Sequence, residues 1–199
     1  MKNKKTDIRK LCTVAIMGAL GTLLMLIEFP IPALIPPFIK LDFSELPALL
    51  ATFAFGPGAG ISVCLIKNLL HLFAGSSMGI GELSNFILGA VFTGIAGLIY
   101  KKHHNRKAAL IACITGAAAM AVICIFTNYF IIYPLYIRVL GMTNEAIVGM
   151  YAAIFPGATS LFTALVIFNL PFTLIKGLID TALCFAVYKP LSPLLKGKK

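Results

Sequence analysis

Seven polar or ionisable residues interrupt the long apolar runs of this sequence, and their side chains are the ones that could do chemistry. They are Lys67, Asn68, Asn85, Asn128, Thr173, Lys176 and Asp180. An ionisable group within a membrane span is costly and indicates a functional site. Because amides, a hydroxyl and ammonium groups mainly form hydrogen bonds, the set predicts a binding site for a neutral, hydrogen-bonding small molecule.

Several of these residues also have an ordinary structural role open to them. Lys176 and Asp180 lie four residues apart, so they share a helix face and could pair with each other. Lys67 could extend its ammonium group toward the membrane surface. Asn68 could form a plain hydrogen bond between helices.

The remaining polar residues have comparable alternatives. Asn85 could cap the start of its helix or bridge two helices. Asn128, which is followed by a tyrosine, could lie in an interfacial aromatic belt. Asp42 or Ser44 is a candidate N-cap for the helix that contains Pro47, as well as a candidate ligand contact.

The sequence lacks the residue patterns that catalysis, metal binding or ATP hydrolysis require. It contains neither HExxH nor the P-loop pattern GxxxxGK[ST], and no two carboxylates share a predicted span. The five cysteines stand singly, and His71, His103 and His104 have no metal-like partners. We therefore expect no catalytic residue, no metal site and no cofactor. A single deep acid also disfavours transport driven by protons or sodium.

The composition requires a membrane. Hydrophobic residues make up 59% of the 199 residues and charged residues 12%, with a mean hydropathy of +0.95, whereas a soluble domain is about 45–50% apolar and about 25% charged. A soluble enzyme is thereby excluded. The net charge is +10, but 13 of the 17 basic residues fall in residues 2–10, 101–107 and 189–199. Such clusters are typical of cytoplasmic loops, so we expect membrane lipid and not nucleic acid as a partner.

Charge parity sets the number of membrane crossings. If the N-terminal tail and the 101–107 cluster both face the cytoplasm, an even number of crossings separates them. Gly56-Pro57-Gly58 is a strong helix breaker and splits the apolar run around it. We therefore predict one all-α integral membrane domain over residues 1–199, with six transmembrane helices and both termini in the cytoplasm. The predicted helices cover residues 9–28, 45–55, 58–74, 82–100, 108–134 and 160–188.

Two further segments should lie on the outer side of the membrane. Residues 29–44 contain four prolines, which forbid a helix and favour a stiff, extended path that could act as a lid. The short helix 45–55 follows this loop. Residues 138–159 could hold another short helix at 145–154.

The first predicted helix carries a surface of small residues. Ala15, Gly18, Ala19 and Gly21 lie close together along it, with Ala15-x-x-x-Ala19 at its centre. Small residues at this spacing let two helices approach closely in lipid. The surface is expected to pack either within the same chain or against a partner subunit.

Many of these residues belong to longer matches with a known family. Residues 41–60 read LDFSELPALLATFAFGPGAG, and Lys67-Asn68 follows shortly after. Further matching segments are Asn85-Phe86, Asn128-Tyr129-Phe130, Pro134-Leu135-Tyr136 and Pro171 to Gly177. Over nearly the whole chain, apart from 138–168, the sequence resembles the riboflavin-specific substrate-binding (S) components of energy-coupling factor (ECF) transporters.

The resemblance implies a multi-pass protein of a prokaryotic plasma membrane. Such a subunit binds riboflavin from outside with high affinity and carries no cofactor of its own. Its implied partners are riboflavin, a transmembrane coupling (T) subunit and two cytoplasmic ATPases. The AxxxA motif of this family faces the coupling subunit, and it maps onto Ala15 and Ala19.

The resemblance also implies roles for site residues. Asn128 and Lys176 fall on positions that hydrogen-bond the vitamin. Thr173 departs from the family motif Pro-Phe-Asn-x-x-Lys-Gly and offers one hydroxyl in place of an amide. Asn169, four residues earlier, could compensate, and Phe43 is expected to flank the flavin ring. The candidate substrate-binding set is completed by Asp42, Asn85, Lys67 and Asn68.

Three alternatives stay open from the sequence. The chain could be an S component for another vitamin or small metabolite. It could be a stand-alone facilitator that needs no ATPase. It could be a small membrane enzyme, although the nucleophile, base or metal set that such an enzyme requires is not found in the sequence.

Overall fold

The computed structural model of the protein describes residues 4–196, and it describes side-chain surroundings from residue 8 to residue 187. Most of the basic residues near the two termini, on which the predicted cytoplasmic ends depend, lie outside the described side chains. Within the described range the α-helices are α1 (Lys4–Leu26), α2 (Glu45–Phe55), α3 (Pro57–His71), α4 (Ile80–Tyr100), α5 (Arg106–Thr127), α6 (Tyr133–Leu140), α7 (Asn144–Ala152), α8 (Leu161–Ala164) and α9 (Leu170–Lys196).

Four helical stretches among the described residues are long and apolar enough to cross a membrane. They are Ile8–Leu26, Ile80–Tyr100, Arg106–Leu140 and Leu161–Val187. Each stretch overlaps a run of residues without charged side chains. About 20 apolar residues are needed to span the hydrocarbon core, so such runs favour membrane-spanning helices. The third stretch extends to Leu140, beyond the predicted end at residue 134.

Two shorter helices, α2 and α3, meet at a sharp break. Gly56 has a φ of 92°, which favours glycine, and Pro57 is the first residue of α3. The chain therefore turns where the Gly-Pro-Gly tripeptide predicts a break. At 11 residues α2 is too short to cross a bilayer alone. Most of its side chains are buried among the neighbouring helices.

Two single π-helical turns interrupt the long helical stretches. The first π-turn, Asn128–Ile132, joins α5 to α6, and the second π-turn, Leu165–Asn169, joins α8 to α9. A π-turn adds one residue to a helical turn and often occurs at a functional site. Both turns contain an asparagine that was singled out in the sequence.

The proline-rich segment 29–44 is a folded loop and not an extended path. Two-residue strands at Phe29–Pro30 and Lys40–Leu41 pair in antiparallel fashion. Between them the carbonyl of Ile31 accepts hydrogen bonds from the amides of Leu34 (2.9 Å) and Ile35 (3.1 Å). The buried Ile35 side chain anchors the turn in an apolar cluster, and this burial is why the segment folds back on the protein.

The second outer segment contains a short helix, α7, near the predicted position 145–154. It starts at Asn144 because the Thr143 side chain accepts a hydrogen bond from the Ala146 amide (3.1 Å). Ile147 and Tyr151 of α7 are buried in the same cluster as Ile35. This cluster is separate from the main core, which is built mostly from α2 to α5.

The small residues of α1 divide between two faces. Gly18 packs so closely against α3 that an added Cβ would lie 2.5 Å from Ile66, and Gly21 is buried beside Lys67. Ala15 and Ala19 are exposed. The glycines therefore serve packing within the chain, whereas the AxxxA pair faces outward.

Candidate ligand-binding site

A cavity opens between the loop 29–44, the C-terminal end of α3, the N-terminal end of α4, and the facing parts of α5 and α9. The space between its lining residues measures about 1030 Å³ when the open solvent at its mouth is included. Members of both apolar clusters line it, so the two cores meet at its walls. Five of the predicted site residues are among its lining: Asp42, Asn85, Asn128, Thr173 and Lys176.

One wall carries an amide and a hydroxyl that share a thiol. The Asn128 amide donates to Cys124 Sγ (3.2 Å), and the Thr173 hydroxyl donates to the same sulfur (3.3 Å). Ser84 Oγ lies 3.5 Å from the Asn128 carbonyl oxygen and donates to it. Because a thiol is a weak acceptor, both donors can exchange it for a ligand oxygen at little cost.

The Lys176 side chain reaches across the cavity to the loop 29–44. Its ammonium group donates to Asp42 Oδ2 at 2.7 Å, while Asp42 Oδ1 accepts from the Ser44 amide (2.9 Å). Burial raises the pKa of Asp42, but the nearby ammonium groups of Lys176 and Lys67 outweigh it and hold that pKa well below its usual range. The carboxylate is therefore ionised at neutral pH.

The alternative pairing of Lys176 with Asp180 is wrong. Among the described residues, both carboxylate oxygens of Asp180 are buried and have no hydrogen-bond partner. Lys176 is drawn to Asp42 instead, because Asp42 also receives the Ser44 hydrogen bonds and presents a fixed acceptor at the cavity wall. The pair links the outer loop to α9.

Lys67 lies beneath the cavity and does not reach the membrane surface. It is 0% exposed and donates to Ser44 Oγ, to Glu45 Oε1 (2.7 Å) and to Asn85 Oδ1 (2.8 Å). Asn68 donates to the carbonyl one turn earlier (2.8 Å). Lys67 and Asn68 are absent from the cavity lining. They support Asn85, which bridges helices and does not cap α4, since α4 begins at residue 80 after Gly79.

Phe43, expected to flank the ligand ring, does not line the cavity. Its ring packs on Phe29 with centroids 6.1 Å apart. The aromatic part of the wall comes from four other residues: Phe38, Tyr133, Tyr136 and Phe172. Phe38 packs against both tyrosines.

Asn169 also lines the cavity, but two tyrosines engage its amide. Tyr151 OH donates to its Oδ1 (2.6 Å), and its Nδ2 donates to Tyr133 OH (3.4 Å). The two tyrosine hydroxyls contact each other as well. This network joins α7 to the start of α6 and to the second π-turn, so Asn169 holds the wall in place rather than standing free to replace a missing amide at Thr173.

The sequence reasoning missed Glu82 and gave His71 no role. Glu82 is 4% exposed and lines the cavity. Its Oε1 lies 2.8 Å from His71 Nδ1, and its Oε2 accepts from Ser77 Oγ (2.7 Å). Glu82 stands three residues before Asn85 in the sequence, and this spacing places both on one helix face. That spacing was the signal that could have revealed it.

The apolar helices, together with the polar-lined cavity that opens among them, define a multi-pass membrane protein with a candidate site for a small molecule. The family described as "ECF transporter, substrate-specific component" matches residues 9–188. The chain belongs to this family. It is a multi-pass protein of the plasma membrane and a component of a transport system, not an enzyme.

Individual relatives match over nearly their whole length. The riboflavin transporter RibU of Staphylococcus aureus (strain TCH60) is 36% identical over 188 residues, covering 94% of this chain and 93% of the relative. The riboflavin transporter FmnP of Bacillus subtilis (strain 168) is 33% identical over 195 residues, covering 96% of each. A solved structure described as "Structure and mechanism of the S component of a bacterial ECF transporter" is 35% identical, with a TM-score of 0.74 over 96% of this chain and 99% of that one.

Proposed function

We propose that this protein is the riboflavin-binding subunit of an ECF importer and that it captures the vitamin from outside the cell. The observation that carries the proposal is the cavity, in which Asn128, Thr173 and Lys176 present hydrogen-bonding groups opposite an aromatic wall. The names of the relatives support riboflavin as the ligand.

The chemistry of the cavity suits riboflavin. The vitamin is uncharged, and its flat ring system has apolar faces with donors and acceptors at the edge and along the ribityl chain. Phe38 and Phe172 offer apolar contact to the ring faces. Asn128 and Thr173 offer a carbonyl, an amide and a hydroxyl to its polar edges. Lys176 can donate to a ligand oxygen while it keeps Asp42 as its counter-ion.

We assign the chain six membrane crossings, with both termini in the cytoplasm. The four long stretches supply four crossings, and α2 with α3 supplies the other two. Lys101 and Lys102 lie exposed between α4 and α5, and Arg106 and Lys107 lie exposed at the start of α5. These charges support a cytoplasmic position for this end of the two helices. A Lys102→Cys variant of a cysteine-free protein should react with an impermeant maleimide only when the inner face of the membrane is accessible.

Delivery of the vitamin inward would require a T subunit and two ATPases, because the chain has no nucleotide-binding pattern of its own. We propose that the exposed Ala15 and Ala19 form the docking face for the T subunit. Tryptophan at either position should abolish uptake by the full complex and leave riboflavin binding intact. Ile111→Trp, at an exposed position on α5, is the control. Uptake by the chain alone in liposomes would instead support a stand-alone facilitator.

The binding test uses the purified protein in detergent. Flavin fluorescence should be quenched as riboflavin binds at an equimolar ratio, and the chain has no tryptophan to interfere. Asn128→Ala should weaken binding about tenfold, because one hydrogen bond in a buried site is lost. Asn144→Ala, at an exposed position on α7, should leave affinity unchanged. Absence of quenching by the wild-type protein at micromolar riboflavin would refute the riboflavin assignment.

A further inference from the structure

Three carboxylates in the cavity wall are each neutralised by a lysine. These pairs are Glu28 with Lys40, Asp42 with Lys176, and Glu45 with Lys67. The carboxylates and the first two lysines line the cavity, while Lys67 lies beneath it. Each lysine ammonium at the site therefore already has an anionic partner.

The fourth lining carboxylate, Glu82, has no such partner. It accepts hydrogen bonds from Ser77 and contacts His71, but in the described part of the chain neither a lysine nor an arginine forms an ion pair with it. Four carboxylates and two lysines therefore line the cavity, in a chain whose net charge is +10.

Glu82 lies where the cavity opens. Ser76 lines the cavity and is exposed, so the mouth is beside the loop that joins α3 to α4. Glu82 receives its hydrogen bond from Ser77 of this loop. It lies about 4.5 Å nearer the start of α4 than Asn85, given a rise of about 1.5 Å per residue.

We propose that Glu82 is a specificity-determining residue that makes the cavity select the uncharged vitamin over its phosphate monoester. This inference rests on the proposed function. A phosphate carries a charge of about −1.5 to −2 at neutral pH and remains at the wet mouth, because burying it is costly. There it meets the Glu82 carboxylate in a partly dehydrated setting, where charge repulsion is strong. The wall offers it no lysine that is free of a carboxylate partner.

The experiment compares the Kd of riboflavin with the Kd of riboflavin 5′-phosphate, both measured by quenching of flavin fluorescence. The measurement is made at pH 8, where a phosphate monoester is doubly charged. Glu82→Gln removes the charge and keeps one acceptor oxygen, while its amide nitrogen, a donor, replaces the second carboxylate oxygen. We expect it to improve the affinity for the phosphate ester relative to riboflavin about tenfold.

Three further variants accompany this measurement. Glu145→Gln makes the same charge change at an exposed position on α7 and should leave the ratio of the two Kd values unchanged. Ser76→Lys adds a positive charge at the mouth without disturbing a buried contact, and it should shift the ratio in the same direction as Glu82→Gln. Ser76→Gln is its neutral control.

The possible results separate the two proposals. If the wild-type protein binds riboflavin but neither Glu82→Gln nor Ser76→Lys changes the ratio, the role of Glu82 is overturned and the proposed function stands. If the wild-type protein does not bind riboflavin, both are overturned. If Glu82→Gln does not fold, the ratio for Ser76→Lys against Ser76→Gln decides the question.

Discussion

Replacement of Lys67 by methionine should be among the most destabilising single changes in this protein. Lys67 is 0% exposed and Glu45 is 2% exposed. All three ammonium protons are used, on Ser44, Glu45 and Asn85. After the change the Glu45 carboxylate keeps only the thiol of Cys64, at 3.4 Å, as a side-chain donor.

The expected loss follows from leaving one buried charge without its partner. Such changes cost about 3–5 kcal/mol in free energy of unfolding. Replacing Glu45 by glutamine at the same time removes the orphaned charge, so the double variant should be more stable than Lys67→Met alone. Lys102→Met, at an exposed position between α4 and α5, should change stability by less than about 0.5 kcal/mol.

The assay is unfolding in detergent, followed by far-ultraviolet circular dichroism as the helices are lost. The four proteins are compared under one set of conditions and without ligand. A loss of less than about 1 kcal/mol for Lys67→Met would refute the reasoning, because a buried pair cannot lose one member so cheaply. A double variant no more stable than Lys67→Met would also refute it, since the penalty would then not come from the charge of Glu45.

Two further predictions concern packing and charge. Gly60→Ala should lower the free energy of unfolding by about 1–3 kcal/mol, because its Cβ would lie 1.8 Å from a threonine hydroxyl oxygen; Gly58→Ala, with nothing within 4 Å, is the control in the same unfolding assay. Asp42→Asn should destabilise the protein by an amount that is constant between about pH 5 and 8. The pKa of Asp42 is lowered by Lys176 and Lys67 against the opposing effect of burial, so its contribution is present above the ordinary carboxyl pKa and is lost only as pH falls through the lowered one. A difference between wild type and Asp42→Asn that shrinks steadily from pH 8 to pH 6 would contradict this.

The helices could be predicted because they depend on local composition. Charge-free runs mark the four long stretches, and the tripeptide at residues 56–58 marks the break between α2 and α3. These signals lie within one element and need no knowledge of its neighbours. The ends were less accurate, since the helix predicted to end at residue 134 continues through a π-turn to Leu140.

The partners of the polar residues could not be predicted in the same way. Lys67 pairs across 22 positions and Lys176 across 134, so their choices depend on how distant elements pack. Local spacing suggested Asp180 for Lys176, and an isolated helix would allow that pair. The loop 29–44 places Asp42 2.7 Å from the Lys176 ammonium group, and hydrogen bonds from Ser44 hold its carboxylate in position. Asp180 is left without a hydrogen-bond partner among the described residues.

The face of α1 that we propose as a docking face illustrates the same limit. The sequence shows a cluster of small residues but does not distinguish the members that pack inside the chain. The structure assigns Gly18 to the contact with Ile66 and leaves Ala15 and Ala19 exposed. The direction of each side chain around the helix decides which small residues are buried. That direction follows from the way α1 packs on α3.

At the two π-turns the number of residues in the chain cannot change without altering the structure. Each holds one residue more than an α-helical turn, so deleting a residue from 165–169 would let the helix close into regular form. Every side chain beyond it, including Thr173 and Lys176, would then rotate by about 100° around the axis. In this protein a deletion among residues 165–168 would empty one wall of the cavity without changing any residue that lines it, and insertions in relatives should avoid the ten positions of the two π-turns.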